Sequence, residues 1–204
     1  MTPTLAASAG FALLYGAAFC WREKSGIASL IKTLPLALMA VHFALAGAPV
    51  LLVVALGLGA AGDLALSRHG VRMFLLGLKS FALAHLIYIV LFLQDMAEMP
   101  GFETVMVILF ALSTWIWLLP HTGVMRGAVT VYVALIAAMA IAAFGMDGAP
   151  LVTLGALAFL ASDTLLAVQL FRLPDDSALH RPLSVILWTL YYGGQLMIGL
   201  ALTR

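Results

Sequence analysis

Residues 150–171 read PLVTLGALAFLASDTLLAVQLF, and Asp163 is the one charged side chain among them. As an α-helix this stretch is about 33 Å long at about 1.5 Å per residue, enough to cross a hydrocarbon core of about 30 Å. A strand of a membrane barrel would alternate apolar and polar residues over about ten positions. The apolar residues here are continuous, so a membrane helix is expected. Comparable runs occupy 4–20, 27–46, 48–66, 72–94, 103–119, 125–144 and 183–203, which gives eight expected spans. The breaks between them are short, and Pro or Gly marks most of them, as in Gly47-Ala48-Pro49 and Pro120-His121-Thr122-Gly123. Residues 27–66 taken as one bent helix would reach about 60 Å, twice a bilayer core, so two helices are expected there.

The whole chain has the same character. Of its 204 residues 64% are hydrophobic and 9% charged, against about 45–50% and about 25% in soluble domains. A soluble fold of this size has no exterior for so much apolar surface, and a net charge of +1 offers no footprint for nucleic acid. One transmembrane domain over 1–204 is expected, all-α, with no soluble partner evident. The lone Cys20 permits no internal disulfide.

No basic residue precedes the first run, so it reads as a span and not as a signal peptide. Arg22, Lys24, Arg68, Arg72, Arg126, Arg172 and Arg181 flank the odd-numbered loops, whereas the even-numbered loops carry Asp95, Glu98 and Asp147. The positive-inside rule makes the odd loops cytoplasmic. Both termini then face outward, with Arg204 the one contrary charge.

Ionisable side chains inside a span are costly, which makes each a functional candidate. They are Lys32, His42, Asp63, Lys79, His85 and Asp163, with polar tips added by Tyr88, Tyr132, Tyr191, Tyr192 and Gln195. Counted along the helices, Asp63 lies about 7 Å from Arg68, Asp163 about 13 Å from Arg172 and His85 about 20 Å from Arg72. A polar cavity open to the inner leaflet is the expected result, lined by both aspartates, with Asp163 deeper and Asp63 nearer water. Helical phase puts Phe74, Phe81, His85 and Tyr88 on one face, and Trp188, Tyr191, Tyr192 and Gln195 on another. Lys79 points elsewhere, and His42 is expected to be structural.

Gly62-Asp63-Leu-Ala-Leu66 and Ser162-Asp163-Thr-Leu-Leu166 lie 100 residues and four helices apart, as in a parallel four-plus-four duplication. HExxH, C-x-x-C, P-loop and GxSxG motifs are absent. The five His are scattered, and a metal held by two Asp and two His is the weaker reading. An Asp pair with Tyr, His and Gln support is equipment for acid–base chemistry. It is also compatible with a proton-coupled small lipid or solute transporter.

Five motifs stand in register: Lys32-Thr-Leu-Pro35, Gly62-Asp63-Leu-Ala-Leu66, Phe74-x-x-Gly77-Leu78-x-x-Phe81-x-x-Ala84-His85-x-x-Tyr88, Gly155-x-x-x-Phe159-x-x-Ser162-Asp163-x-x-Leu166-Ala167 and Tyr191-Tyr192-x-x-Gln195-x-x-Ile198. With them the chain resembles the lysoplasmalogenase-like, YhhN-type family of eight-helix membrane proteins over nearly its whole length. That family often has Lys-Pro in the first motif, where Thr33 follows Lys32 here. The resemblance implies hydrolysis of the vinyl ether bond of a lysoplasmalogen, or of a related ether lysolipid, with no cofactor and no metal. Asp63 and Asp163 would be catalytic: Asp163 the acid, Asp63 the base or cation stabiliser. Lys32, His85, Tyr88, Tyr191, Tyr192 and Gln195 would bind substrate or orient water, and Lys32 or cytoplasmic Arg residues would meet the lipid phosphate. The partners would be a lysolipid substrate and membrane lipids. The expected location is the bacterial inner (plasma) membrane, with the site toward the cytoplasmic leaflet.

Overall fold

A computed structural model describes residues 2–146 and 149–203, so Asp147 and Arg204 of the charge pattern lie outside the described residues. The described residues form eight α-helices: α1 (Pro3–Ala18), α2 (Gly26–Leu45), α3 (Val50–Leu66), α4 (Val71–Gln94), α5 (Phe102–Leu118), α6 (Arg126–Phe144), α7 (Pro150–Phe171) and α8 (His180–Ala201). Two 3₁₀ turns, Leu119–His121 and Gly123–Met125, lead into α6. Six helices, with α5 continued to His121 and α6 begun at Gly123, are long and apolar enough to cross a membrane. The chain is thus an integral, multi-pass membrane protein. Helices α1 and α3, at 16 and 17 residues, are shorter apolar helices. They reach about 24–26 Å against a core of about 30 Å.

The helix ends follow from local chemistry. Ser25 caps α2, its hydroxyl accepting from the Ala28 N–H at 3.1 Å. After Leu45 the chain reverses through Gly47, at φ 76°, and Pro49 then opens α3. Two helices therefore replace any single long one over 27–66. Gly70, at φ 99°, makes the corresponding turn between α3 and α4.

Sequential neighbours pack against each other except at one step. Helix α4 turns its face to α6 and not to α5, which follows it in the chain. Helix α5 lies at the periphery on α6, with Leu109, Leu112 and Ile116 facing outward. Helix α8 closes the bundle against α7, α1 and α2. Leucines and valines cover the exterior while Asp63, His85, Ser162 and Gln195 are buried within. This polar inside and apolar outside is the arrangement hydrocarbon requires. The tightest approach is between α7 and α8. A Cβ on Gly155 would stand 2.8 Å from the Gly194 carbonyl oxygen, and one on Gly194 would stand 2.7 Å from the Gly155 oxygen.

Candidate active site

Small residues on α3 set the position of Asp63. Gly59 and Gly62 let Leu36 and the Phe81 ring press against the helix backbone, which carries Asp63 into the bundle at 1% exposure. Its Oδ1 lies 3.3 Å from Lys32 Nζ on α2, and its Oδ2 accepts from the Tyr191 hydroxyl on α8 at 2.8 Å. Both oxygens are thereby occupied, and the buried carboxylate has a cation to balance it.

Asp163 on α7 is held differently. The Tyr132 hydroxyl on α6 donates to its Oδ2. His85 Nε2 on α4 lies 4.0 Å from the same oxygen, and the Ser162 hydroxyl is 3.4 Å from Oδ1. The His85 ring is fully buried, edge-on to Tyr132 at 5.2 Å and 4.7 Å from Phe159. Neither of its ring nitrogens has a hydrogen-bond partner.

Aromatic rings link the surroundings of the two carboxylates: Tyr191 bonds Asp63, and Phe159 packs on His85 beside Asp163. Phe81, Phe159 and Tyr191 meet one another edge to face at centroid distances of 6.4, 5.8 and 5.5 Å. On the Asp163 side an apolar cleft runs between α4, α5, α6 and α7, with Phe74, Phe110, Leu118 and Phe171 in its walls. Asp163 is its one ionisable carboxylate, and Tyr132 lines it too. Asp63 does not line it. The expectation that both aspartates share one cavity, with Asp63 nearer water, is corrected: height along a helix does not report which flank faces the opening.

Other expected residues also divide. Tyr191 joins Asp63, and Lys32 pairs with Asp63, so its charge is balanced there. Tyr88 donates to Gln195 Oε1 at 2.5 Å, and this buried pair contacts neither carboxylate. Tyr192 turns away from both aspartates. Its hydroxyl lies 2.9 Å from Ser8 Oγ, which donates to the Pro35 carbonyl at 2.7 Å, tying α8 to α1 and α2. His42 sits at the opposite end of α2, its Nδ1 2.8 Å from the Thr2 hydroxyl. Lys79 is exposed. Among the described residues no three His, Cys, Asp or Glu side chains stand together as a metal-binding group. Tyr132 is the contact residue the sequence reading left out of the site. Its signal was a lone phenol in an otherwise apolar helix.

These features define a class: a polytopic helical membrane protein that buries two carboxylates in its interior, one of them open to an apolar cleft. The YhhN family model matches residues 27–202, and the chain belongs to the YhhN family. No curated protein and no solved structure matches it.

Proposed function

We propose that this protein hydrolyses the vinyl ether bond of a lysoplasmalogen or a related ether lysolipid, with Asp163 as the acid. The observation that carries this reading is an apolar cleft whose one ionisable carboxylate, Asp163, stands beside an unpartnered histidine. YhhN family membership is consistent with it.

A vinyl ether is hydrolysed by protonation at carbon. The Asp163 proton goes to the carbon distal to the ether oxygen, and the C=C π pair forms the new C–H bond. The adjacent carbon and its oxygen then share the positive charge as an oxocarbenium ion. Water adds to that carbon and returns a proton to the Asp163 carboxylate. The hemiacetal collapses as its hydroxyl proton passes to the ether oxygen and the C–O bond to glycerol breaks. The products are a fatty aldehyde and a glycerophospho-ethanolamine or -choline. One water is consumed, and Asp163 ends as it began.

The protein's residues suit these steps. Tyr132 fixes Oδ2, so Oδ1, with a single long contact, is the oxygen with capacity to carry the proton. Fully buried His85, its Nε2 4.0 Å from Asp163 Oδ2, is a basic group beside that carboxylate. Asp63, tied to Lys32 and Tyr191, acts as a positioning residue. It holds Tyr191, whose ring packs on Phe81 in the cleft wall.

The same reading covers the membrane arrangement. We infer eight crossings with both termini outside and the cleft facing the cytoplasmic leaflet of a bacterial inner membrane, because Leu66, Phe74, Leu118 and Phe171 end it beside the base-rich loops. We infer also a parallel four-plus-four duplication. Asp63 takes partners from α2 and α8, and Asp163 from the corresponding α6 and α4.

The test is aldehyde release by the purified protein in detergent. Lysoplasmalogen should yield fatty aldehyde, whereas the acyl lysophospholipid should yield neither aldehyde nor fatty acid. Proton-coupled uptake into liposomes without hydrolysis of any ether lipid would overturn the proposal in favour of a transporter.

A further inference from the structure

At the cytoplasmic end of the bundle a second depression adjoins the cleft. Lys24, Arg68, Gly70, Val71 and Met125 line it, and Leu66 and Phe74 belong to both. One of its two cations is tethered by the fold. The Lys24 ammonium donates to the Arg68 carbonyl at 3.0 Å, which joins the α1–α2 turn to the α3–α4 turn. That contact leaves further ammonium N–H groups, and Arg68, exposed like Lys24, also borders the depression. Among the described residues no carboxylate oxygen lies within 4.0 Å of either side chain. Partial burial, and secondarily Lys32, hold the Lys24 ammonium below its ordinary value, as expected of positive charge lacking an anion.

We propose that Lys24 and Arg68 form a phosphate seat at the mouth of the cleft, taking the headgroup phosphate of a single-chain phospholipid whose hydrocarbon chain lies in the cleft. The inference rests on the reading of the cleft as a lysolipid site, and it narrows the phosphate contact from Lys32 or the cytoplasmic Arg residues to Lys24 and Arg68. An arginine fork and a lysine point charge are the donors suited to a phosphate dianion or diester. Leu66 and Phe74 line both hollows, so a phosphate in the depression and a hydrocarbon chain in the cleft can belong to one molecule.

Binding separates this inference from the hydrolytic reading. The probes are a saturated 1-O-alkyl lysophosphocholine, which has no vinyl ether to cleave, the matching 1-O-alkylglycerol, which lacks the phosphate, and inorganic phosphate. The full chain in maltoside micelles should bind the alkyl lysophosphocholine at least tenfold more tightly than the alkylglycerol. Lys24→Gln with Arg68→Gln should shrink that preference to less than twofold and leave alkylglycerol affinity unchanged. Lys24→Arg with Arg68→Lys, which preserves both charges, should retain it. A preference that survives the Gln pair overturns the seat, as does an equal loss of affinity for both lipids. Inorganic phosphate binding as tightly as the lipid marks a free-phosphate site and overturns the lipid assignment. An intact preference without aldehyde release from lysoplasmalogen upholds the seat while the hydrolytic reading fails. Aldehyde release without a preference does the reverse.

Discussion

Asp63 and Asp163 occupy matching stretches of α3 and α7, yet their surroundings differ in one decisive respect. Each receives a partner from the helix before it and another from a helix in the other half of the chain. For Asp63 these are Lys32 and Tyr191, a cation and a phenol that together satisfy both oxygens. For Asp163 they are Tyr132, a phenol on one oxygen, and His85, which stops 4.0 Å short. The side chains of α4, α5, α6 and α7 then leave a cleft beside Asp163, which Asp63 does not line. A carboxylate with a lysine on it is neutralised in place, whereas one with phenol and imidazole neighbours at the edge of an opening keeps capacity for proton transfer. Two similar sequences on two similar helices thus supply a fixed charge pair in one half and a carboxylate at the edge of a cleft in the other.

The largest expected effect lies on the open side. Asp163→Asn keeps size and hydrogen bonding to Tyr132 but removes the transferable proton. Aldehyde release should fall by about 10²–10⁴-fold, the range for loss of a general acid, with the thermal midpoint in detergent nearly unchanged. A variant that keeps full activity removes Asp163 from the chemistry.

The closed side should answer in stability. Asp63→Asn leaves the Lys32 ammonium in the bundle without its anion, and breaking a buried pair this way costs about 3–5 kcal/mol. The double change Asp63→Asn with Lys32→Met should recover most of it, since removing both charges leaves neither uncompensated. The contrast between the halves breaks if Asp63→Asn loses activity at an unchanged midpoint and the double change rescues nothing. Asp63 would then be a chemical participant.

Helix approach differs between the halves too. At the α7–α8 crossing the obstacle to a new Cβ at Gly155 is the Gly194 backbone at 2.8 Å, which cannot yield unless the helices part. At the α3–α4 crossing a Cβ on Gly77 meets the Leu66 side chain at 2.7 Å, which can change rotamer. Gly155→Ala should therefore lower stability by about 1–3 kcal/mol, the usual overpacking cost, and Gly77→Ala by less. Thermal unfolding of the two variants in the same detergent ranks them. A reversed order would mean that the α3–α4 pair is the rigid one.

The architecture was legible because lipid leaves the backbone few options. Each apolar run must satisfy its own hydrogen bonds as a helix, so runs and Pro/Gly breaks place helix ends within a few residues. Gly47 and Pro49, for instance, separate α2 from α3 as read. The partners of each polar tip were not legible in the same way. Phase along α8 puts Tyr191 and Tyr192 on one broad face, but α8 is wedged among α1, α2, α3 and α7, and one residue of rotation sends a hydroxyl to Asp63 or to Ser8. Tyr132 was passed over because α4 packs on α6 across the peripheral α5, and nothing in the Asp95–Gly101 connection dictates that skip. The pairing of Lys32 with Asp63 was not legible either, because the sequence neighbours of Lys32 do not reveal Asp63 opposite it.

Tyr192 supplies the smallest and cleanest check on that division. Its hydroxyl contacts Ser8 and no site residue, while its ring lies near Trp188 at 6.4 Å. Tyr192→Phe keeps the ring and removes one hydrogen bond, and Ser8 can still donate to the Pro35 carbonyl. The loss should be about 1 kcal/mol of stability, with aldehyde release unchanged. Tyr191→Phe, one residue earlier, deprives Asp63 of a donor and should reduce both. If the two Phe variants behave alike in activity, the hydroxyl of Tyr192 reaches the site during turnover, and the separation of α8 into a structural flank and a site flank fails.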